Sequence, residues 1–480
     1  MNTLSRRDFL KTTAWAGACL ATPRVLGANE DIRVAIVGLG NKGKSHLRVF
    51  GNIVGVRIVA LCDVDPQRLA RGKDKLGQSE VFGTTDFREI LDRKDVDAVV
   101  IATCNHWHGP IAVLACEAGK DVYVEKPISH NLREGSLMIR AAEKHGRIVQ
   151  SGTQYRSDPG LREAAEYIQQ GNLGKMLYGY VLWYEHRGSI GRKDPWEPDW
   201  LDYDLYCGPA ERKPLTRDKL HYDWHWIWST GDGDLANSGI HAFDACRMFA
   251  GYDTLPVRSL GLGGRFGVAD AGETPNSQIT VLDYKPAPIV IENRNLPAEK
   301  GRDRMDHYLG VREGFVLKCE NGYFAGFRGG GWMYDNDGKK IQQFKGDGGG
   351  SHQANFIEAM RSRRSEDLNA PLAEGHVSSG VCHLGNLSFR MGTEATEDDV
   401  LQKMEGIDLS QEVFRRMRSH LAANEVDIEK TPLRQGPWLT LDLKRETITH
   451  CDGREDGALV EHANRLAAGS YRDPFDISKG

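Results

Sequence analysis

The chain has 480 residues, a net charge of −5 and 27% charged residues, with no long basic run, so it offers no footprint for nucleic acid or for a membrane surface. Its nine cysteines are scattered without a CxxC pair, which excludes a disulfide framework; Cys62, Cys104, Cys116 and Cys246 read as small core residues. The length suffices for two or three domains with full cores.

At the N-terminus Arg6 and Arg7 stand side by side, with Phe9, Leu10 and Lys11 behind them and a weakly apolar run from Thr12 to Ala21. Charge, apolar run and small residues in that order read as a twin-arginine (Tat) signal peptide over residues 1–28, an address read by a receptor rather than an anchor. The run is too short and too rich in small residues to span a bilayer. The expected destination is the periplasm or another extracytoplasmic space, with the Tat machinery as a transient partner.

From Ile32 the stretch IRVAIVG is a nearly continuous apolar run, as befits a strand buried on both faces. It ends in Gly38-Leu39-Gly40-Asn41-Lys42-Gly43 and leads into a helix. In that setting Gly38 permits a tight turn, Gly40 lets a pyrophosphate approach the backbone, and Gly43 allows close helix–strand packing. The N–H groups of Asn41 and Lys42 sit at a helix N-terminus that favours phosphate. The next strand, VRIVALCDVD, places Asp63 twenty residues after Gly43, where a carboxylate accepts from the adenosine ribose and repels a 2′-phosphate. This favours NAD over NADP, although Arg68 lies nearby. Further strand–helix units follow through DAVVIAT, KDVYVEKP and RIVQSGTQY, and their alternation predicts a doubly wound parallel sheet over residues 31–152.

The glycine turn, the run TCNHWH (Thr103 to His108) and the strand end Glu125-Lys126-Pro127 together closely resemble the Gfo/Idh/MocA family of oxidoreductases. The resemblance extends over roughly residues 31–395. It implies that Thr103, Asn105 and His108 lie along the cofactor with Glu125, and that Lys126 reaches both the nicotinamide and the reacting hydroxyl. It also implies a second α/β domain with an open, mostly antiparallel sheet, placed here over residues 153–400, and a homo-oligomer. From residue chemistry alone, a lysine at the C-terminal end of a parallel strand lies where such sheets bind ligands, and its ammonium can stabilise an alkoxide.

In GDGDLANSGIHAFDACRMF (231–249) a helix is expected from Asn237 onward, with Asn237, His241 and Asp244 on one face. The family resemblance makes His241 the candidate general base, with Asn237 standing where an aspartate is usual. Between Lys126 and His241 the sequence leaves the base open. Asn237 and Asp244 are expected to touch substrate, and by family position the resemblance implies the same for Tyr155 and Arg156. HYDWHWIWSTGDG (221–233) crowds three tryptophans and two histidines, suited either to a sugar's C–H faces or to a core strand. The loop 184–200 offers Tyr184, His186 and Arg187 as further contacts. No histidine spacing matches a metal-ligand set. His352, Asn355, His376 and His383 read as structural or interfacial, and residues 401–480 as an extension that could widen the sheet or wrap the subunit and close with a helix and arm.

The expected function is an exported, NAD-dependent oxidoreductase acting on a hydroxyl of a sugar, glycoside or cyclitol, its cofactor tightly bound because outside the cytoplasm a released one is lost. A glycoside hydrolase using a transient NAD redox cycle and a non-catalytic sugar-binding protein are the alternatives.

Overall fold

The structure, a computed structural model, describes residues 31–77 and 80–479, so the twin-arginine segment lies outside the described residues. Six strands build the first sheet: β1 (Ile32–Val37), β2 (Val56–Cys62), β3 (Phe82–Thr84), β4 (Ala98–Ile101), β5 (Asp121–Val124) and β6 (Val149–Ser151). Their order is 3-2-1-4-5-6 and every pairing is parallel. β4 and β5 are buried along their whole length, which explains why they read as continuous apolar runs rather than alternating ones. Two hydrophobic clusters cover the two faces. One of them holds Phe356, Ile357 and Met360, so the helix His352–Ser362, far along the chain, returns to complete the first domain. His352 is fixed there by Ser157 Oγ (2.7 Å) and by the carbonyl of Ser151 (2.9 Å).

The second sheet has twelve strands: β7 (Met176–Tyr184), β8 (Arg258–Gly264), β9 (Ser277–Leu282), β10 (Ile289–Arg294), β11 (Glu313–Cys319), β12 (Gly322–Phe327), β13 (Gly330–Tyr334), β14 (Lys340–Lys345), β15 (Thr393–Ala395), β16 (Leu433–Gln435), β17 (Leu439–Asp442) and β18 (Thr447–Cys451). All pairings are antiparallel except β7 with β10. The helices Pro159–Gln169, Ile240–Ala250 and Leu372–Met391 pack on one face, and Glu397–Lys403 with Asp408–Ala423 on the other. β9 and β10 are therefore buried on both faces. β14 ends the sheet with Lys340 and Lys345 exposed, charges that discourage edge-to-edge pairing. The tail widens the sheet through β16, β17 and β18 beside β8, adds the helix Gly457–Ala468, and sends an arm back to the first domain, where Phe475 meets Trp107 edge-on.

The eight described cysteines are free. Among the described residues no helix is long and apolar enough to cross a membrane, and no group of three or more His, Cys, Asp or Glu side chains is placed to hold a metal ion.

Candidate active site

At the end of β1 the backbone of Gly38 turns with φ +89°, and a Cβ there would lie 2.5 Å from the carbonyl oxygen of Ala102. A Cβ on Gly43 would lie 1.9 Å from the carbonyl oxygen of Gly38, so the helix Asn41–Gly51 can sit this close to the turn only without a side chain. Gly40, the N-cap of that helix, provides no side-chain cap. The first-turn N–H groups are therefore left for a ligand. Asp63, at the end of β2, accepts from Leu39 N (2.7 Å) through one oxygen and from Asp65 N (3.0 Å) through the other. Its carboxyl is raised by burial, against which the two backbone N–H groups pull. Asp63 thus shapes the glycine turn as well as lining the cavity beside it.

The cavity, of about 490 Å³, runs from this turn across the gap between the domains. Gly38, Gly40, Asn41, Lys42 and Asp63 line one end; Thr103, Asn105, His108, Glu125 and Lys126 line its middle. Gly43 stands behind the turn. The Asn105 amide donates away from the cavity to Asp232 (2.8 Å), and His108 is held between the carbonyls of Pro127 (2.6 Å) and Thr103 (3.2 Å). Burial lowers the basicity of the His108 ring. Burial alone would raise the Glu125 carboxyl, but Lys42 at 3.4 Å and His46 at 2.9 Å hold it below the usual carboxylate range. Glu125 therefore positions Lys42. Lys126 donates from Nζ to the main-chain oxygen of Asn237 (2.5 Å), and burial pushes its pKa down to about 8, with Glu125 opposing.

The far wall comes from the second domain. His241, the second residue of the helix Ile240–Ala250, meets the Tyr155 ring edge-on at 5.3 Å between centroids. Its Nδ1 is buried without a partner, which leaves Nε2 as the nitrogen able to meet a ligand. Burial, then the charges of Lys126 and Lys42, keep the imidazole far below its ordinary pKa, so it stands neutral. Residues Leu235–Gly239 form a π-helical turn rather than the expected start of an α-helix. Two expected substrate contacts are corrected by the packing. Arg156 and Asp244 line no part of the cavity; Arg156 Nε bonds both carboxylate oxygens of Asp244 at 2.9 Å, and Asp244 also accepts from Ser378 (2.6 Å). A buried charge pair this well satisfied braces the helix from behind. Tyr184 is likewise buried, hydrogen-bonded to Glu292, and His186 faces outward, whereas Arg187 lines the cavity.

Trp183, Glu185, Ser238 and Arg328 line the site without having been singled out from the sequence, because β7, the π-turn and the end of β12 meet only in the folded chain. The aromatic stretch is a strap, not a core strand. Trp224 and His225 stack at 3.6 Å between centroids, and both face the cavity. His221 bonds Asp65 across the domain boundary (2.7 Å), and upstream the carbonyl of Tyr206 accepts from His106 (3.0 Å) and Trp107 (3.3 Å) of the first domain.

A dinucleotide fits these features: a turn that tolerates no Cβ, an uncapped helix N-terminus, and a cavity continuing to a half-buried lysine and a neutral imidazole. Residues 32–153 match the family model described as oxidoreductase family, NAD-binding Rossmann fold, and residues 175–271 the one described as oxidoreductase family, C-terminal alpha/beta domain. Inositol 2-dehydrogenase of Salmonella paratyphi B is 35% identical over 148 residues, 30% of this chain and 44% of that protein. A glycosyl hydrolase family 109 protein of Shewanella pealeana is 27% identical over 239 residues, 42% of this chain and 50% of that protein. The chain thus spans half or less of the length of these two curated relatives. The crystal structure of aldose-aldose oxidoreductase from Caulobacter crescentus, complexed with glycerol, superposes with a TM-score of 0.56 at 19% identity, covering 74% of this chain and 97% of that one, a likeness of fold.

Proposed function

We propose that this chain, a member of the Gfo/Idh/MocA oxidoreductase family, oxidises a hydroxyl of a sugar, glycoside or cyclitol outside the cytoplasm, with a nicotinamide dinucleotide that stays bound. The observation that carries the reading is the convergence of Lys126 and His241 on one cavity that begins at the glycine turn. Bound there, NAD would be held by Gly38, Gly40, Asn41, Lys42 and Asp63 and would supply the hydride acceptor. The neutral His241 imidazole takes the hydroxyl proton at Nε2. The Lys126 ammonium, held in place by the carbonyl of Asn237, stabilises the oxyanion as the C–H bond breaks. Trp224, His225 and Tyr155 enclose the sugar ring and exclude water.

Retention follows from the twin-arginine signal: a folded chain carries its cofactor through export, and a second substrate regenerates it in place. The similarity to a glycosyl hydrolase family 109 protein favours a second reading. In it the ring hydroxyl is oxidised, the aglycone is eliminated, water adds, and the ring is reduced again without net redox change. To test the proposal, the processed protein is purified from the periplasm without added nucleotide, denatured, and its released dinucleotide identified by mass spectrometry. Near-stoichiometric NAD or NADH is expected, and a keto-sugar product distinguishes the oxidoreductase from the hydrolase, which releases an aglycone. A protein found empty that also fails to bind added NAD overturns both redox readings.

A further inference from the structure

The π-turn that carries Asn237 begins directly after Asp234, whose side chain is almost wholly buried. Its carboxylate accepts from the Asn237 amide (3.1 Å) and from Asn295 (2.6 Å), and Arg187 reaches both of its oxygens at 3.3 Å. Arg187 in turn is shared with Glu185 (2.8 Å) and Tyr222 (2.8 Å) and lines the cavity. On the other side of the same turn the main-chain oxygen of Asn237 receives the Lys126 ammonium. One residue therefore links a buried carboxylate to the lysine at the centre of the cavity. Asn237 can pass on no charge of its own, so the field on this side of Lys126 is set by Asp234 against Arg187.

We propose that Asp234 is a positioning residue for Lys126: through the Asn237 turn and its pairing with Arg187 it supplies the negative charge that keeps the lysine cationic and aimed at the substrate. The inference rests on the oxidation reading above. The charged groups that act on Lys126 are Glu125 and Lys42 from the first domain, and Asp234 and Arg187 from the second; His225 and His241 face it as neutral rings. Of the two second-domain charges Asp234 favours the ammonium and Arg187 opposes it. Removing the Asp234 charge alone leaves Arg187 beside the lysine with only the partly exposed Glu185 as its counter-charge.

The test reads Lys126 itself rather than turnover. Trace labelling with acetic anhydride across a pH series, mapped by mass spectrometry, gives the titration of Lys126 in the purified full chain. Asp234→Asn is expected to move that titration acidward by about one unit, as loss of a nearby opposite charge does. The double variant Asp234→Asn with Asn237→Asp, which returns one carboxylate to the turn, is expected to move it back. Asn237→Asp alone adds a carboxylate and is expected to shift it upward, which keeps the proposal open to refutation if Asp234→Asn does not fold. An unmoved titration in Asp234→Asn, or in Asn237→Asp, overturns the proposal. A shift as expected in a chain that oxidises no sugar would sink the oxidation reading and leave the role of Asp234 standing.

Discussion

At one end of the cavity the walls are chiefly main chain, joined by Lys42 and Asp63, and at the other they are side chains. The turn from Gly38 to Gly43 and the first turn of the helix Asn41–Gly51 present N–H groups at fixed positions, and the end of β2, within about thirty residues of sequence, braces that turn with the Asp63 carboxylate. Across the cavity Tyr155, Trp183, Arg187, Trp224, His241 and Arg328 come from widely separated segments of the second domain. A site made of backbone tolerates few substitutions and serves one ligand shape. A site made of side chains can change its ligand while the frame stays, because function resides in what is grafted onto a fold. Mutations should therefore act all-or-none at the first end and by degrees at the second.

The largest effect is expected at the glycine turn. In Gly43→Ala the new Cβ would fall 1.9 Å from the carbonyl oxygen of Gly38, and neither partner is a flexible side-chain tip. Bound dinucleotide, measured by mass spectrometry of the denatured protein, should drop to background while circular dichroism still reports the second domain. Retention of a full complement would show that the turn is less constrained than its geometry demands.

Next come the two groups to which the proposed oxidation assigns chemistry. Lys126→Ala and His241→Ala should each lower kcat by about 10²–10⁴-fold with dinucleotide content unchanged, the range expected of positioned acid–base groups. The pH profile assigns their roles. Burial brings Lys126 down to about 8, so its ammonium is lost as pH rises through that value and kcat/KM should fall above it. His241, held low by burial and by the charges of Lys126 and Lys42, is already deprotonated at neutrality, so no acidic limb belongs near 6.5. A kcat/KM that instead rises through pH 8 would make neutral Lys126 the base.

The same contrast governs what could be read from the chain alone. The dinucleotide end was legible because its determinants are local: buried parallel strands leave continuous apolar runs, and glycines at fixed offsets mark where a Cβ cannot go. Lys126 was singled out by the resemblance around Glu125-Lys126-Pro127, its strand-end position alone marking only where such sheets bind ligands. Asp244 misled because a 3.6-residue period places it beneath His241 but says nothing of a cation arriving from residue 156, and Arg156, expected at the substrate from its family position, turns instead to that carboxylate. The π-turn at Leu235–Gly239 alters the lead-in to that helix, and no periodicity announces it. β3 is too short to leave a pattern. The helix His352–Ser362 was expected as a helix, yet its place in the first domain depends on contacts across some three hundred residues. Arg328 and Trp183, joined as a cation over a ring at 5.3 Å, could be brought together only by the fold.

Between the two ends lies the strap, where the smallest effect is expected. His221 has its pKa lowered by burial, with Arg68 adding to the effect, so it reaches Asp65 as a neutral donor. Asp65 also caps the helix Pro66–Leu76, accepting from Gln67 N at 2.8 Å. Losing the histidine leaves the cap in place and frees the strap at one point, while His106 and Trp107 still hold Tyr206. A single hydrogen bond to a charged partner is worth about 1.5–3 kcal/mol at most, and solvent access at this rim reduces it. His221→Ala should therefore speed dinucleotide release by no more than about tenfold, with kcat on the bound cofactor unchanged. Release rates measured by displacement with excess labelled NAD decide the point. An unchanged rate would place retention wholly in the main-chain end, and a rate raised a hundredfold would make the strap, rather than the glycine turn, the chief barrier to escape.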